Sequence, residues 1–266
     1  MGIEQLLKES IRLLQKHEPP DGYWGAFSGG KDSIVIKHLA RVAGVRVDWH
    51  YNVTCIDPPQ VISFMREHHR DVRWERSRHG NFFKHMEKKG LPPTRHVRWC
   101  CEKYKEHSNP SGRVLLMGIR AEESPKRASL WQPVTYMTRT KSDAVLPILS
   151  WPSEELWEYI RGENIPYCSL YDEGFTRLGC IGCPLPGPPI QRKEFDRWPG
   201  FERRWRLAFK RMWEIHAGRI VRGGTEWFGS VYFDGWEQMW EWWMSNGPLP
   251  SRKKDKQLDL IEGSRA

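Results

Sequence analysis

The sequence predicts an α/β fold in which a parallel five-stranded sheet carries helices on both faces, followed by a Trp-rich, basic, helical C-terminal region. Two patterns predict this fold. Over the first two thirds of the 266-residue chain, short segments typical of strands alternate with segments of helical pattern. Eight of the fifteen tryptophans lie at or beyond Trp198, where basic helical sequence takes over. A chain of this length can bury the core that such a fold needs.

The predicted elements follow one another in a regular order. Leucines interleaved with charges predict an amphipathic helix at the N-terminus. The five predicted strands are the β-branched or apolar runs at 23–27, 45–54, 71–75, 113–120 and 145–149. Helical patterns follow at 34–43, 60–69, 81–90 and 154–163. Strands that alternate with helices form parallel sheets, so we expect helices on both faces.

The charge balance favours polyanionic partners. The formal net charge is +9, which suits nucleic acid or phosphorylated small molecules. The amphipathic N-terminus does not resemble a signal peptide, and no apolar stretch is long enough to cross a bilayer. We therefore expect a cytoplasmic protein without a membrane partner, and we do not expect its six cysteines to form structural disulfides.

A glycine turn joins the first predicted strand to the first helix of the sheet. Residues 25–32 nearly fit the Walker A pattern, but Asp32 stands where that pattern needs a magnesium-binding Ser or Thr. The alternative is a phosphate loop in which glycine amides, two serine hydroxyls and a helix N-terminus face an anion. Lys31 adds charge, and Asp32 can assist Mg²⁺ if a triphosphate binds. An ordinary turn is the remaining alternative. The predicted loop consists of Ser28, Gly29, Gly30, Lys31, Asp32 and Ser33.

Four of the cysteines form two close pairs. Cys100 and Cys101 are adjacent, and Cys180 and Cys183 form a C-x-x-C motif. The two pairs suggest four thiolates at one soft metal centre, either an iron–sulfur cluster or tetrahedral zinc. Unligated buried cysteines would have the same spacing.

Several motifs resemble one known family. "SGGKDS" resembles the signature of the PP-loop (adenine nucleotide α-hydrolase-like) superfamily. "VTCIDPPQ" (53–60), "GIRAEESPKRA" (118–128) and the segment 146–184 resemble its phosphoadenosine phosphosulfate (PAPS) reductase branch. The resemblance covers roughly residues 20–185. It predicts a nucleotide-binding domain at 20–185 between an N-terminal helix (1–19) and a helical region (186–250), with a flexible tail at 251–266.

The resemblance also implies cofactors and roles. It implies a [4Fe–4S] cluster on Cys100, Cys101, Cys180 and Cys183, as in adenylyl sulfate reductases and DndC-type DNA phosphorothioation ATPases, with zinc as the alternative. It assigns catalysis to Lys31, Asp32, Arg120 and Arg127. Outside the loop it places the nucleotide against Asp57, Lys105, Gly118 and Arg120. Surface salt bridges to Glu122 or Glu123 are the alternative for the two arginines, and capping of the next helix is the alternative for Asp57.

One departure from the reductases guides the functional prediction. Reductases of the family attack sulfur with a cysteine in a C-terminal Glu-Cys-Gly motif, whereas this sequence has no cysteine after Cys183. A reductase would need Cys55 or Cys168, and each is more simply a buried filler. We therefore predict an adenylating, ATP-using sulfur-transfer enzyme that binds ATP with Mg²⁺. The alternatives are a PAPS or adenylyl sulfate reductase that releases sulfite, and a non-catalytic nucleotide-binding or nucleic-acid-binding subunit.

The basic C-terminal segment bears on the partners. Its tryptophans Trp198, Trp205 and Trp213 stand among cations, a combination that suits phosphate contacts with base stacking. The cations are Arg192, Lys193, Arg197, Arg203, Arg204, Arg206, Lys210 and Arg211. Helical spacing favours the alternative, in which the Trp face packs on the main domain. The partners expected are DNA or tRNA and a sulfur donor such as a cysteine desulfurase.

Overall fold

The computed structural model describes residues 2–138, 140–221 and 225–252, without the side chains of residues 125–127. Residues 253–266, most of the predicted tail, lie outside the described residues. The chain separates into two compact units. Unit 1 consists of Met1–Val53, Asp57–Ser77 and Tyr104–Leu178, and unit 2 of Thr54–Ile56, Arg78–Lys103 and Gly179–Ala266. None of the helices in the described ranges is long and apolar enough to cross a membrane.

The sheet of unit 1 has six strands in the order β3-β2-β1-β4-β6-β5. The strands are β1 (Tyr23–Ala26), β2 (Val47–Val53), β3 (Arg73–Arg76), β4 (Leu115–Met117), β5 (Val134–Met137) and β6 (Ser142–Val145). The neighbouring pairs are parallel except that β5 runs antiparallel to β6. The predicted α/β class is therefore confirmed, and the sheet is mostly parallel.

The predicted count of five strands was wrong because of a hairpin at one edge. Only Val145 of the predicted strand 145–149 lies in the sheet, since the chain leaves β6 just before Pro147, which has no N–H for a ladder. The missed strand β5 is four residues long and largely half-buried at the sheet edge, so it lacks a clear alternating pattern.

Helices cover the sheet and form most of unit 2. They are α1 (Ile3–Lys16), α2 (Lys31–Ala43), α3 (Pro59–His68), α4 (Phe82–Lys89), α5 (Pro125–Leu130), α6 (Ser153–Gly162), α7 (Pro188–Arg197), α8 (Pro199–His216), α9 (Phe228–Tyr232) and α10 (Trp236–Ser245). In unit 1, α1 packs on α2, which packs in turn on α6. Two leucines of α1 are buried there, and the Tyr23 hydroxyl donates to the Leu14 carbonyl at 2.7 Å. This packing fixes α2 and therefore the turn that precedes it.

Unit 2 has an aromatic core. Helix α8 packs against α4, α7 and α10, and the ring of Trp205 stacks on Trp243 with centroids 4.7 Å apart. Two indole N–H groups of this core donate to backbone carbonyls: Trp205 donates to Ile181 at 3.1 Å and Trp243 to Pro93 at 2.6 Å. Such a partner offsets the cost of burying the indole N–H. The helical C-terminal region is thus present, with five of its eight tryptophans buried in unit 2.

Candidate functional site

The Ser28–Ser33 loop joins β1 to α2 in unit 1. Gly29 has φ +72°, a conformation that glycine adopts without strain, and a Cβ there would lie 3.0 Å from the Met65 sulfur. The Ser33 hydroxyl donates to the Gly30 carbonyl at 2.8 Å and fixes the end of the turn. Helix α2 begins at Lys31, and its N-cap residue Gly30 has no side chain to cap it, so first-turn amides other than that of Lys31 remain for an anion. The loop therefore has the features of a phosphate cradle.

Lys31 is buried at the start of α2, with only 6% of its surface exposed. Its Nζ donates to the Thr176 carbonyl at 3.1 Å and lies 3.4 Å from Oδ2 of Asp32. Burial lowers the pKa of Lys31, the neighbouring Asp32 carboxylate opposes that shift, and the positive charge of Arg120 adds to it. The ammonium group is thus held in a partly dehydrated place, where its attraction for an anion is stronger than in water.

Arg120 is buried beside the loop and reaches the same carboxylate. Its Nε donates to Oδ1 of Asp32 at 2.6 Å. Its Nη1 donates to Oε2 of Glu122 at 2.8 Å and to the Trp151 carbonyl at 3.2 Å. The same Glu122 oxygen accepts from the backbone N–H of Ser153 at 2.7 Å. Arg120 therefore lies in the site and also forms the salt bridge to Glu122, and it fixes Asp32 between two cations.

The structure places the remaining predicted nucleotide residues as follows. Gly118 packs on the first turn of α2, where a Cβ would lie 3.0 Å from the backbone of Asp32. Asp57 directly precedes Pro58, the N-cap residue of α3. Lys105 is half-buried and ends a π-helical turn, Cys101–Lys105. The side chain of Arg127 lies outside the described residues.

Two residues of the loop's surroundings escaped the sequence reasoning. The Tyr171 hydroxyl accepts the backbone N–H of Lys31 at 2.8 Å, and burial raises the pKa of Tyr171. The Thr176 carbonyl accepts from Lys31 Nζ. Both residues lie in the segment 146–184, whose likeness to the family was the available signal. Nothing in their residue types indicated a contact with a loop about 140 positions earlier.

The C-x-x-C motif lies in a tight turn of unit 2, where the N–H of Cys183 donates to the Cys180 carbonyl at 3.2 Å. Gly182 between them has φ +76°, its N–H donates to Glu194 at 2.7 Å, and its carbonyl accepts from Gln191 at 2.9 Å. A Cβ at Gly182 would meet the rings of Phe195 and Trp205. The aromatic core therefore fixes the backbone that carries this cysteine pair.

The four predicted metal-binding cysteines are neighbours in unit 2. The hydrogen bond with Cys101 and burial raise the pKa of Cys100, and so do the negative charges of Cys101, Cys180 and Cys183. Arg98 donates to the Cys101 sulfur at 3.6 Å. Within the described part of the chain, no group of three or more His, Cys, Asp or Glu is placed to hold a single metal ion.

The other two cysteines differ in access. Cys168 is buried, and burial raises the pKa of its thiol, as expected for a packing residue. Cys55 is exposed and has φ +67°, and the next residue, Ile56, accepts the N–H of Ile181 at 2.8 Å. Of these two thiols, only that of Cys55 is accessible.

The tryptophans of the basic segment do not form the exposed surface that stacking on nucleic-acid bases would require. Trp198 and Trp205 are buried in unit 2, and Trp213 is half-buried with its ring edge-on to Trp227. The packing alternative expected this burial for Trp198 and Trp205, and Trp205 packs edge-on against Phe82, which lies in the predicted domain 20–185.

Many known proteins have sequences similar to this chain, and two of them are as follows. An uncharacterized protein of Methanocaldococcus jannaschii is 30% identical over 216 residues, which are 76% of this chain and 45% of that protein. This chain thus spans less than half the length of that relative. The adenosine 5′-phosphosulfate reductase of Staphylococcus haemolyticus is 27% identical over 176 residues, 63% of this chain and 70% of the reductase.

A solved structure and a family match complete the comparison. The phosphoadenylyl-sulfate reductase of Candida auris, crystallised with phosphate, is similar with a TM-score of 0.50 at 16% identity over 67% of this chain and 93% of that chain. That likeness shows the fold. Residues 22–186, more than half of the chain, match the phosphoadenosine phosphosulfate reductase domain family. The predicted resemblance is confirmed, and this chain belongs to that family.

Proposed function

We propose that this chain is an ATP-dependent adenylyl transferase of sulfur metabolism, which activates an acceptor for the addition of sulfur. The observation that carries the proposal is the buried Lys31 ammonium at the uncapped start of α2, next to a turn that only glycine adopts without strain. Such a turn binds the pyrophosphate part of a nucleotide through backbone N–H groups and a helix dipole.

The proposed reaction is attack on the α-phosphorus of bound ATP. An acceptor oxygen forms a bond to this phosphorus, and the bond to the bridging oxygen breaks with its electron pair on pyrophosphate. Lys31 and the loop amides stabilise the charge that develops on the leaving group. Because Asp32 already pairs with Arg120 and Lys31, we assign it the positioning of Lys31, while Mg²⁺ arrives on the phosphates of ATP.

The four cysteines of unit 2 are proposed to hold a [4Fe–4S] cluster. Four neighbouring thiols are the donor set that such a cluster takes. Zinc would draw four sulfurs to within about 4 Å of one another, because each Zn–S bond is about 2.3 Å. The likeness of the two cysteine pairs to the family's cluster motifs supports the cluster, and zinc is the alternative. The cluster would supply thiolate-bound iron for electron transfer or for holding sulfur, with a cysteine desulfurase as the proposed sulfur source.

The relatives favour a second candidate, an adenosine 5′-phosphosulfate reductase like that of Staphylococcus haemolyticus. In that reaction a thiolate attacks the sulfate sulfur, the S–O bond to AMP breaks, and a thiol reductant then releases sulfite. Cys55 is the thiol that the structure leaves accessible for this step, because Cys168 is buried.

The test compares products. Full-length protein, purified without oxygen, is given ATP with a nucleic-acid acceptor, or adenylyl sulfate or PAPS with a dithiol. We expect pyrophosphate from ATP, and its loss in Lys31→Met but not in the exposed control Lys8→Met. Sulfite release that depends on Cys55 would establish the reductase instead. ATP binding without pyrophosphate release would indicate a nucleotide-binding subunit.

A further inference from the structure

The outer face of α8 carries an exposed leucine surrounded by cations. Leu207 is 45% exposed. Residues three and four positions away on a helix are its surface neighbours. At Leu207 all four of these neighbours are exposed cations, which are Arg203, Arg204, Lys210 and Arg211. We call these five residues the α8 patch.

The charges of the α8 patch are largely unbalanced by the fold. Within residues 2–138, 140–221 and 225–252, Arg203, Arg204 and Lys210 make no ion pair. Arg211 reaches only a distant carboxylate oxygen of Glu87, at 3.8 Å. Like charges at helical spacing repel one another, so the patch costs stability unless an anion covers it.

Another arginine of the same helix shows the contrast. Arg206 donates to Glu202 at 2.8 Å, and its guanidinium lies 4.9 Å from the centre of the Trp240 ring. That is the environment of an arginine used for packing within unit 2. In the α8 patch the Arg204 guanidinium lies 5.7 Å from the centre of the Phe201 ring, but it has no carboxylate partner like that of Arg206. Packing within unit 2 therefore accounts for the patch arginines less well than for Arg206.

We propose that the α8 patch binds the phosphate backbone of a nucleic acid. This proposal rests on the proposed function, because it names nucleic acid as the class of acceptor. The preceding helix carries further exposed cations, at Arg192, Lys193 and Arg197. Several cations on successive helices suit a polyanion. A compact acidic protein segment would cover only the region around Leu207.

The geometry sets the mode of binding. The two cation pairs of the α8 patch are seven residues apart, which is about 10 Å along the helix. Trp198 and Trp205 are buried, so these two rings are not available to stack on bases. Binding through phosphates alone is independent of sequence and weakens as salt rises.

The test measures affinity against salt. Full-length protein is titrated into fluorescein-labelled DNA duplex of about 20 base pairs at about 50 to 200 mM salt. We expect a slope of log K against log salt of about −3 to −4 for four phosphate contacts. Arg203→Gln with Lys210→Gln reduces its magnitude by about 2. The control, Lys8→Gln with Arg12→Gln, changes two exposed cations of α1 and leaves the slope unchanged.

Three results would each overturn the proposal. The first is a DNA affinity that does not change with salt, and the second is an unchanged slope in the Arg203/Lys210 variant. The third is a Leu207→Ala variant that loses as much DNA binding as that double variant. The last indicates an apolar anchor and hence a protein partner. Melting temperatures show that each variant is folded. Lys31→Met separates the two proposals, since we expect it to lose ATP and keep DNA. DNA binding without pyrophosphate release would support the proposal for the α8 patch and contradict the proposed adenylyl transfer.

Discussion

The loop of unit 1 and the cysteine turn of unit 2 balance their charges differently. In the loop, two buried cations share the carboxylate of Asp32, so the fold itself supplies the counter-charge. Near the cysteine turn, Cys180–Cys183, lie the thiols of Cys100 and Cys101. The hydrogen bond with Cys101, burial and the charges of the other three cysteines raise the pKa of Cys100. The turn is held by aromatic packing around Gly182 and by the hydrogen bonds that Gly182 makes with Glu194 and Gln191.

This difference indicates what each site needs. A site whose charges are balanced by its own side chains keeps its shape without a ligand. When an anionic ligand binds, it replaces part of the internal ion pairing. Four thiols together gain from a cation, because a coordinated thiol is deprotonated and its charge is taken up by the metal. We therefore expect the loop to be preformed without nucleotide, and the cysteine turn to gain stability from its metal.

The largest effect is expected from Asp32→Asn, which removes the counter-charge of the loop. Lys31 and Arg120 then remain buried without their shared carboxylate, and we expect a loss of about 3 kcal/mol in the free energy of unfolding. Urea denaturation measures it. The control is Asp71→Asn, which breaks the exposed pair with Lys37 and should cost at most about 1 kcal/mol. Equal losses in both variants would mean that the loop is not balanced by Asp32.

A smaller effect is expected from Gly182→Ala, which probes packing in the cysteine turn. The new Cβ would lie 2.6 Å from the Phe195 ring and would sit at a positive φ, so we expect a loss of about 2 kcal/mol. Gly179→Ala is the matched control, because nothing lies within 4 Å of its Cβ position. A stable Gly182→Ala protein would show that the aromatic core does not fix the turn.

The smallest effect is expected from Tyr171→Phe, which removes one hydrogen bond to the loop. The N–H of Lys31 loses its acceptor, and we expect about 1 kcal/mol in unfolding free energy with a several-fold weaker affinity for ATP. Calorimetric titration with ATP measures the affinity. Tyr167→Phe is the control, because its hydroxyl bonds to the exposed Asp172. An unchanged affinity in Tyr171→Phe would exclude a role of this hydroxyl in shaping the loop.

The sequence predicted those structural features that depend on residues close to one another in the chain. A strand, two glycines and a helical pattern adjoin one another in the chain, so the turn before α2 was evident. The Tyr171 contact was not, because it joins positions about 140 residues apart and depends on how the chain packs. Strand β5 was missed because a short, half-buried edge strand has little pattern of its own.

The same reasoning applies to charges and rings. The spacing of cations along α8 was visible in the sequence, whereas the side of the helix that tryptophans occupy depends on packing in unit 2. The roles of the loop residues and of the four cysteines stay predictions. These roles depend on a bound nucleotide and a bound metal, which the fold alone does not identify.

Metal analysis of protein purified without oxygen tests the central claim about unit 2 most directly. The account predicts about four iron and four sulfide per chain in the wild type. It predicts that Cys180→Ser loses both iron and sulfide. It predicts that Cys168→Ser retains both, because the Cys168 thiol is buried and is not one of the proposed cluster ligands. Zinc in place of iron, with no labile sulfide, would contradict the account.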